Sequence, residues 1–143
     1  MSGLTIRDME KGEEFAEWFS ELLVREEEER GLELHRQERY LVLTNEIGDW
    51  IGGARYSVCG GVAQLLDMAI APEERDRGYG RALLEAFEER ANEADAHLAE
   101  FWIEDLAAEP VLATLGWRRL MSRENYIGHH TWYLMEKNLA VRG

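Results

Sequence analysis

One stretch, residues 65–84, constrains the fold more than any other part of the chain. Its sequence is LLDMAIAPEERDRGYGRALL, which is typical of a buried strand, a basic glycine-containing loop and the first turn of an amphipathic helix. Gly78 and Gly80 let a ligand approach the backbone closely, and the unpaired N–H groups of a helix start favour a bound anion. The order of strand, loop and helix therefore predicts an anion-binding cradle.

Three arginines, Arg75, Arg77 and Arg81, lie in the same stretch. The chain has a net charge of −13 and only 16 lysines and arginines, so this local concentration is unusual. A Rossmann fingerprint would need a third glycine where Leu83 stands, and a P-loop would need a Gly-Lys-Ser/Thr ending. Arg-x-x-Gly-x-Gly remains. It resembles the pyrophosphate-binding motif of the GNAT superfamily of acyl-CoA N-acyltransferases; the alternative is an ordinary strand-to-helix turn.

The size of the chain, 143 residues with 45% hydrophobic residues, predicts a single domain over residues 1–143. The lone Cys59 excludes an internal disulfide, and we expect no metal site around it. We also expect a cytoplasmic protein with no membrane segment. The strongly acidic balance argues against nucleic acid as a partner and favours cationic small molecules or basic peptides.

The first half of the chain predicts one helix and four strands. A short apolar stretch at residues 4–6 predicts a first strand, and apolar residues at helical spacing follow at 15–23. An acidic run at 26–29 is interpreted as a solvated helix end, or as the border of an amine entrance. Strands at 40–43, 50–58 and 62–70, joined by short turns, predict an antiparallel meander.

The second half predicts a helix, a strand, a short helix and two closing strands. The helix after the cradle ends near residues 92–96, and the strand at 97–103 should lie parallel to the strand at 62–70 after one helical crossover. A short helix at 107–115 and strands at 117–121 and 131–139 follow.

This order resembles the GNAT order over nearly the whole chain, and Leu-Gly-Trp at 115–117 is similar to the family's Leu-Gly-Phe. The resemblance implies an α/β fold: a mixed central sheet of six to seven strands flanked by three to four helices, with a splayed parallel strand pair. It implies that acetyl-CoA binds in the gap. The residues that would hold it are Met68, Ala69, Ile70, Arg75, Asp76, Arg77, Gly78, Tyr79, Gly80 and Arg81.

The activity implied by the resemblance is N-acetyl transfer to a primary amine by direct attack on the thioester. The chain departs from the family at two positions. Leu112 stands where a tyrosine often protonates the leaving sulfur, and Asp105 stands where an asparagine often contacts pantetheine. A non-catalytic acyl-CoA-binding sensor or interaction module is therefore the alternative function.

Candidate bases for the amine are carboxylates near the strand gap: Asp67, Glu100, Glu104 and Asp105. Of these we favour Glu104 and Asp105, although a carboxylate at such a position is more often a solvated turn acid or a helix N-cap. Tyr126, His129 and His130 lie between the last two strands, in a loop that can overhang the acceptor site in this fold. Tyr126 could assist the departing thiolate.

A homodimer is also expected, because the closing strands leave sheet edges and aromatic residues such as Trp132 and Tyr133 that a second subunit could cover.

Overall fold

The computed structural model describes residues 3–139 of the chain. They belong to two compact units, Met1–Leu34 and His35–Gly143. No helix in the described part is long and apolar enough to cross a membrane. The single domain expected over residues 1–143 stays a prediction.

The first unit carries one α-helix in its described part, α1, over Phe15–Glu29. Its aromatic side chains contact one another, because the ring centroids of Phe15 and Trp18 and those of Phe15 and Phe19 lie 5.7 Å apart. The acidic run at 26–29 forms the last turn of this helix, as predicted.

The strand predicted at residues 4–6 is wrong. Leu4 and Ile6 are 75% and 102% exposed, and no strand among the described residues pairs with them. So short a segment is stable as a strand only when a neighbour satisfies its backbone groups. Arg7 instead pairs with Glu13 at 2.6 Å, and this hydrogen bond lowers the pKa of the Glu13 carboxyl below its ordinary value.

The described part of the second unit contains six strands and two α-helices, in the order in which the sequence predicts them. They are β1 (Gln37–Thr44), β2 (Trp50–Cys59), β3 (Val62–Ile70), α2 (Tyr79–Glu93), β4 (Leu98–Ile103), α3 (Glu109–Thr114), β5 (Arg118–Arg123) and β6 (Trp132–Asn138). A short 3₁₀ turn, Leu106–Ala108, precedes α3, and Pro110 lies in the first turn of α3.

These strands form one mixed sheet in the order β1-β2-β3-β4-β6-β5. β3 and β4 are parallel, as predicted, and the other neighbouring pairs are antiparallel. The α/β fold is therefore confirmed, with six strands and three α-helices among the described residues. The strand count is at the lower end of the expected range because residues 4–6 form no strand.

The core lies between α2, α3 and one face of the sheet. Phe87 and Ala91 of α2 and Ala99 and Met135 of the sheet are all fully buried, at 0% exposure. The buried positions of α2 recur at helical spacing, which is why this helix packs along one face. Because Ala99 faces this core, its neighbours along β4 point to the opposite face of the sheet.

A polar network fixes α2 against β6. Glu88 of α2 accepts hydrogen bonds from the Trp117 indole at 3.0 Å and from the Lys137 ammonium at 2.9 Å. Lys137 also donates to the Leu115 carbonyl oxygen at 2.6 Å, at the end of α3. Buried polar groups satisfied in this way hold helices in one position.

The pairing of β3 with β4 ends early. Within the described residues the two strands pair only from Val62–Leu98 to Gln64–Glu100, although β3 continues to residue 70 and β4 to residue 103. Just beyond this point β3 contains a β-bulge. Arg55 of β2 lies opposite Asp67, whereas the next residue, Tyr56, lies opposite Leu65. The extra residue, Leu66, bends β3 where its pairing with β4 stops.

Candidate active site

A cavity of about 520 Å³ lies between the second half of β3 and the start of α2. We call it the cradle cavity, and its lining consists of Met68, Ala69, Ile70, Glu74, Arg75, Asp76, Gly78, Tyr79 and Gly80. Eight of the ten residues expected to bind the cofactor line this one cavity. The other two, Arg77 and Arg81, do not.

The start of α2 has the geometry of an anion site. Gly78 is the N-cap residue with a φ of 80°, a left-handed conformation that costs glycine little. No described side chain caps the helix, so its first N–H groups stay available to a ligand. A Cβ added to Gly80 would meet only the Met68 sulfur, at 3.7 Å. A side chain there would therefore fit the fold, but it would take up space at the wall of the cradle cavity, which Gly80 lines.

The three arginines have different partners. The Arg75 Nε donates to the Ile70 carbonyl oxygen at 3.2 Å, which holds this side chain beside the cradle cavity. Arg77 pairs with Glu74 at 3.0 Å, and Arg81 pairs with Glu85 at 3.1 Å along α2. Of the three, Arg75 is thus the one positioned to contact an anion in the cavity without leaving its partner.

Three of the four candidate carboxylates already have partners that explain them. Asp67 accepts from Arg55 at 2.8 Å, and Glu100 accepts from the Gln64 amide at 2.7 Å. Asp105 caps the 3₁₀ turn by accepting from the Ala107 N–H at 2.8 Å. Arg55 also pairs with Glu38, which with Asp67 raises the pKa of the guanidinium above its ordinary value.

The fourth carboxylate, Glu104, has a partner from a distant part of the chain. It directly follows β4 and contacts the Nδ1 of His130, which is 26 residues away in sequence. Tyr126, from the same loop as His130, packs against Trp102 with ring centroids 5.1 Å apart. We call residues 124–131 the β5–β6 loop, and these contacts lay it over the face of β4 that points away from the core.

The β5–β6 loop has a constrained backbone. Asn125, Gly128 and His129 have φ angles of 48°, 64° and 65°, which is a rare conformation for the two that are not glycine. The His129 Nδ1 lies 2.9 Å from the Asn125 Oδ1, and the Tyr126 N–H donates to the His130 carbonyl oxygen at 2.8 Å. Such strained residues persist where the surroundings determine them, often at functional sites.

Leu112, at the position of the family's tyrosine, is 7% exposed and belongs to the hydrophobic core. It can donate no proton. The pairing of His130 with Glu104 is the feature that sequence analysis did not predict. No local spacing signals it, because the two residues meet only after β4 and β6 have paired.

The site fits a long ligand with an anionic end. The backbone of β3 beyond Gln64 faces no β4 partner in the described structure, and the same strand leads into an uncapped helix start beside Arg75. An extended chain can pair with such a strand edge while its phosphate groups meet the helix N–H groups. The fold and this site define the class of proteins that bind acyl-coenzyme A.

The family follows from a direct comparison. The model of the acetyltransferase (GNAT) family matches residues 4–117, which is most of the chain. The chain therefore belongs to the GNAT family and is an acetyl-CoA-dependent acetyltransferase. No curated protein matches it.

Solved structures agree with this assignment. A protein from Agrobacterium tumefaciens, provisionally described as an acetyltransferase, is 17% identical with a TM-score of 0.74, covering 96% of this chain and 99% of its own. The ribosomal-protein-S18-alanine N-acetyltransferase from Escherichia coli is 26% identical, with a TM-score of 0.65 and coverages of 73% and 72%. A GNAT acetyltransferase from Elizabethkingia anophelis, solved with acetyl-CoA bound, is 14% identical, with a TM-score of 0.60 and coverages of 66% and 72%.

Proposed function

We propose that this chain transfers an acetyl group from acetyl-CoA to a primary amine of a small molecule or peptide, by direct attack of the amine on the thioester. One observation carries the proposal. The last β3–β4 pair is Gln64–Glu100; beyond it Met68 follows on β3, and Glu104 directly follows the end of β4. The cradle cavity and the Glu104–His130 pair therefore both lie beyond the point where the two strands stop pairing.

The cradle side would hold the donor. The main-chain groups of Met68, Ala69 and Ile70 would pair with the pantetheine arm, since the edge of β3 faces no partner strand there among the described residues. The first N–H groups of α2 and the Arg75 guanidinium would hold the pyrophosphate. Acetyl-CoA supplies an activated acetyl thioester, so this side needs no further reactive group.

The other side of the gap would receive the acceptor. Glu104, Tyr126 and His130 lie together at the end of β4, whereas Asp105 is engaged as a cap. We therefore keep Glu104 and Tyr126 as candidates for proton transfer and assign Asp105 a structural role as a cap. A protonated amine has no lone pair, so this side must accept or release protons near the thioester.

The acceptor class rests on charge and on one relative. The net charge of −13 favours cationic amines near the protein. The E. coli relative at 26% identity is named for an alanine of a ribosomal protein, so a peptide amino terminus is a second candidate. We favour the cationic small amine, because the charge is a property of this chain itself.

The test is release of CoA thiol from acetyl-CoA with spermidine, kanamycin, lysine and a basic peptide with an amino-terminal alanine. We expect release with at least one amine, and mass spectrometry should show an acetyl group on the amine nitrogen. Intact CoA binding by calorimetry with no thiol release from any of these acceptors would instead support the sensor function.

The expected homodimer stays a prediction. β5 is an edge strand whose six residues are all exposed, so it offers a surface for a second subunit. Trp132 and Tyr133 are weaker reasons, because the Trp132 indole donates to the Ile127 carbonyl oxygen and Arg119 lies over the Tyr133 ring. Light scattering at tens of micromolar should give twice 16.5 kDa; a mass near 16.5 kDa would contradict a dimer.

A further inference from the structure

We propose that His130 is the group that removes the proton from the acceptor amine and that Glu104 is its positioning residue. The inference rests on the proposed function and names the residue that performs its proton transfer. It arises from a contact between two parts of the chain, the end of β4 and the β5–β6 loop. The sequence candidates Glu104 and Tyr126 then become neighbours of the base.

The contact determines which nitrogen of His130 is basic. An ionised carboxylate only accepts hydrogen bonds, so the Nδ1 next to Glu104 must carry a proton. In the neutral imidazole the lone pair is then on Nε2. Free histidine prefers the opposite tautomer, so Glu104 selects the form whose outer nitrogen can accept a proton.

The pair is exposed, which suits proton exchange better than stabilisation. The side chains of His130 and Glu104 are 67% and 44% exposed, and an exposed ion pair contributes little to stability. Water can therefore reach Nε2 and remove the proton after each turnover. The loop fixes the backbone that carries the ring, because the His130 carbonyl oxygen accepts from the Tyr126 N–H and the His130 N–H donates to the Ile127 carbonyl oxygen.

The proposed step transfers one proton and one acetyl group. The neutral amine nitrogen forms a bond to the acetyl carbonyl carbon, and the bond between that carbon and sulfur breaks. Sulfur leaves with the electron pair as a thiolate. The attacking nitrogen then carries two hydrogens and a positive charge; one of these protons passes to Nε2 of His130, which afterwards releases it to water, and the amide keeps the other.

The first measurement needs no acceptor. Long-range proton–nitrogen NMR spectra of the ¹⁵N-labelled chain report the tautomer of each histidine, and His130→Gln assigns its signals. We expect the Nδ1–H form at His130 in the parent and a shift toward the Nε2–H form in Glu104→Ala. An Nε2–H tautomer at His130 in the parent would overturn the inference whatever the enzyme does.

The second measurement is the pH dependence of kcat/KM with the best amine of the panel, starting with spermidine. Of the titratable and charged groups near His130, Glu104 contacts its ring and Tyr126 bonds its backbone; Arg123 lies over the Tyr126 ring, and Glu124 and His129 belong to the same loop. In the parent we expect kcat/KM to rise between roughly pH 6 and 8. His130→Gln should lower kcat/KM about 100-fold and abolish this rise, with CoA affinity unchanged. Glu104→Ala should lower kcat about 10-fold, because more of the His130 rings would then carry the proton on Nε2 and could not accept one there.

A matched control is His97→Gln. This histidine is exposed and precedes β4, at the end of the strand opposite to Glu104, so the same substitution should leave kcat/KM within about 2-fold. If kcat/KM of His130→Gln stays within about 3-fold of the parent value and still rises with pH, His130 is not the base, but the proposed function stands. No thiol release from the parent with any amine of the panel would refute the proposed function as well.

Discussion

The two sides of the β3–β4 gap are built in different ways. On the cradle side, one continuous stretch supplies a strand edge, two glycines and a helix start with no side-chain cap. On the acceptor side, side chains from β4 and the β5–β6 loop meet only in the folded chain. The proposed donor site is therefore set by local conformation, whereas the proposed acceptor site is set by long-range contacts.

The comparison predicts that CoA binding is weakened most by a side chain that blocks the backbone of the cradle. Gly80→Val should weaken CoA binding about 100-fold, because losing two charge-assisted hydrogen bonds costs ~3 kcal/mol. Calorimetry with CoA measures the loss. The control is Ala82→Val, an exposed site in the same helix turn whose N–H already bonds the Gly78 carbonyl oxygen. Equal affinities for both variants would contradict a backbone cradle.

The same difference explains what sequence analysis could predict. The cradle stretch, the parallel pair and the order of the other elements have short-range signals, namely glycine spacing, apolar periodicity and the single crossover. Asp105 was chosen as a catalytic candidate because it follows β4, yet its local backbone uses it as a cap. His130 is placed by the sequence only in a loop near the acceptor site; its pairing with Glu104 has no local signal, because strand pairing brings the two residues together.

The strand prediction at residues 4–6 is wrong for a related reason. Alternating apolar residues indicate a strand, but a strand needs a partner that the local sequence does not name. Leu4 and Ile6 lack one within the described residues, and the segment forms a loop closed by Arg7 and Glu13.

A second prediction measures how much the Arg75 side chain, as opposed to the backbone of the cradle, contributes to CoA binding. Arg75→Ala should weaken CoA binding about 10-fold, since it removes one charge-assisted contact of ~1.4 kcal/mol beside the cavity. Arg81→Ala is the matched control; its guanidinium pairs with Glu85, so we expect a change under about 3-fold. If Arg81 mattered more than Arg75, the arginines would have to rearrange when CoA binds.

A third prediction concerns the side-chain character of the acceptor side. Tyr126→Phe keeps the ring that packs on Trp102 and removes only the hydroxyl. If that hydroxyl assists the departing thiolate, kcat should fall about 5-fold with CoA affinity unchanged; the effect is modest because a thiol is a good leaving group. Single-turnover rates measure it. An unchanged kcat in Tyr126→Phe, together with a reduced one in Tyr126→Ala, would limit the residue to packing.

The smallest expected effect is electrostatic attraction of the acceptor. The carboxylates expected to line its side of the gap already have hydrogen-bond partners, since Glu104 contacts His130, Glu100 accepts from the Gln64 amide at 2.7 Å, and Asp105 caps the 3₁₀ turn. Attraction should then come mainly from the net charge of −13, which acts at long range and is screened by salt.

We therefore expect kcat/KM for spermidine to fall only about 3-fold between roughly 50 and 300 mM salt, because the Debye length shrinks below the distance from the surface charges to the approaching amine. Octylamine, which is of similar length but carries a single charge, should change less. A steep fall for spermidine would mean that the carboxylates near the gap act unpaired on the substrate. Equal, salt-independent rates for both amines would remove charge as a determinant of the acceptor and favour recognition by the aromatic pair of Trp102 and Tyr126.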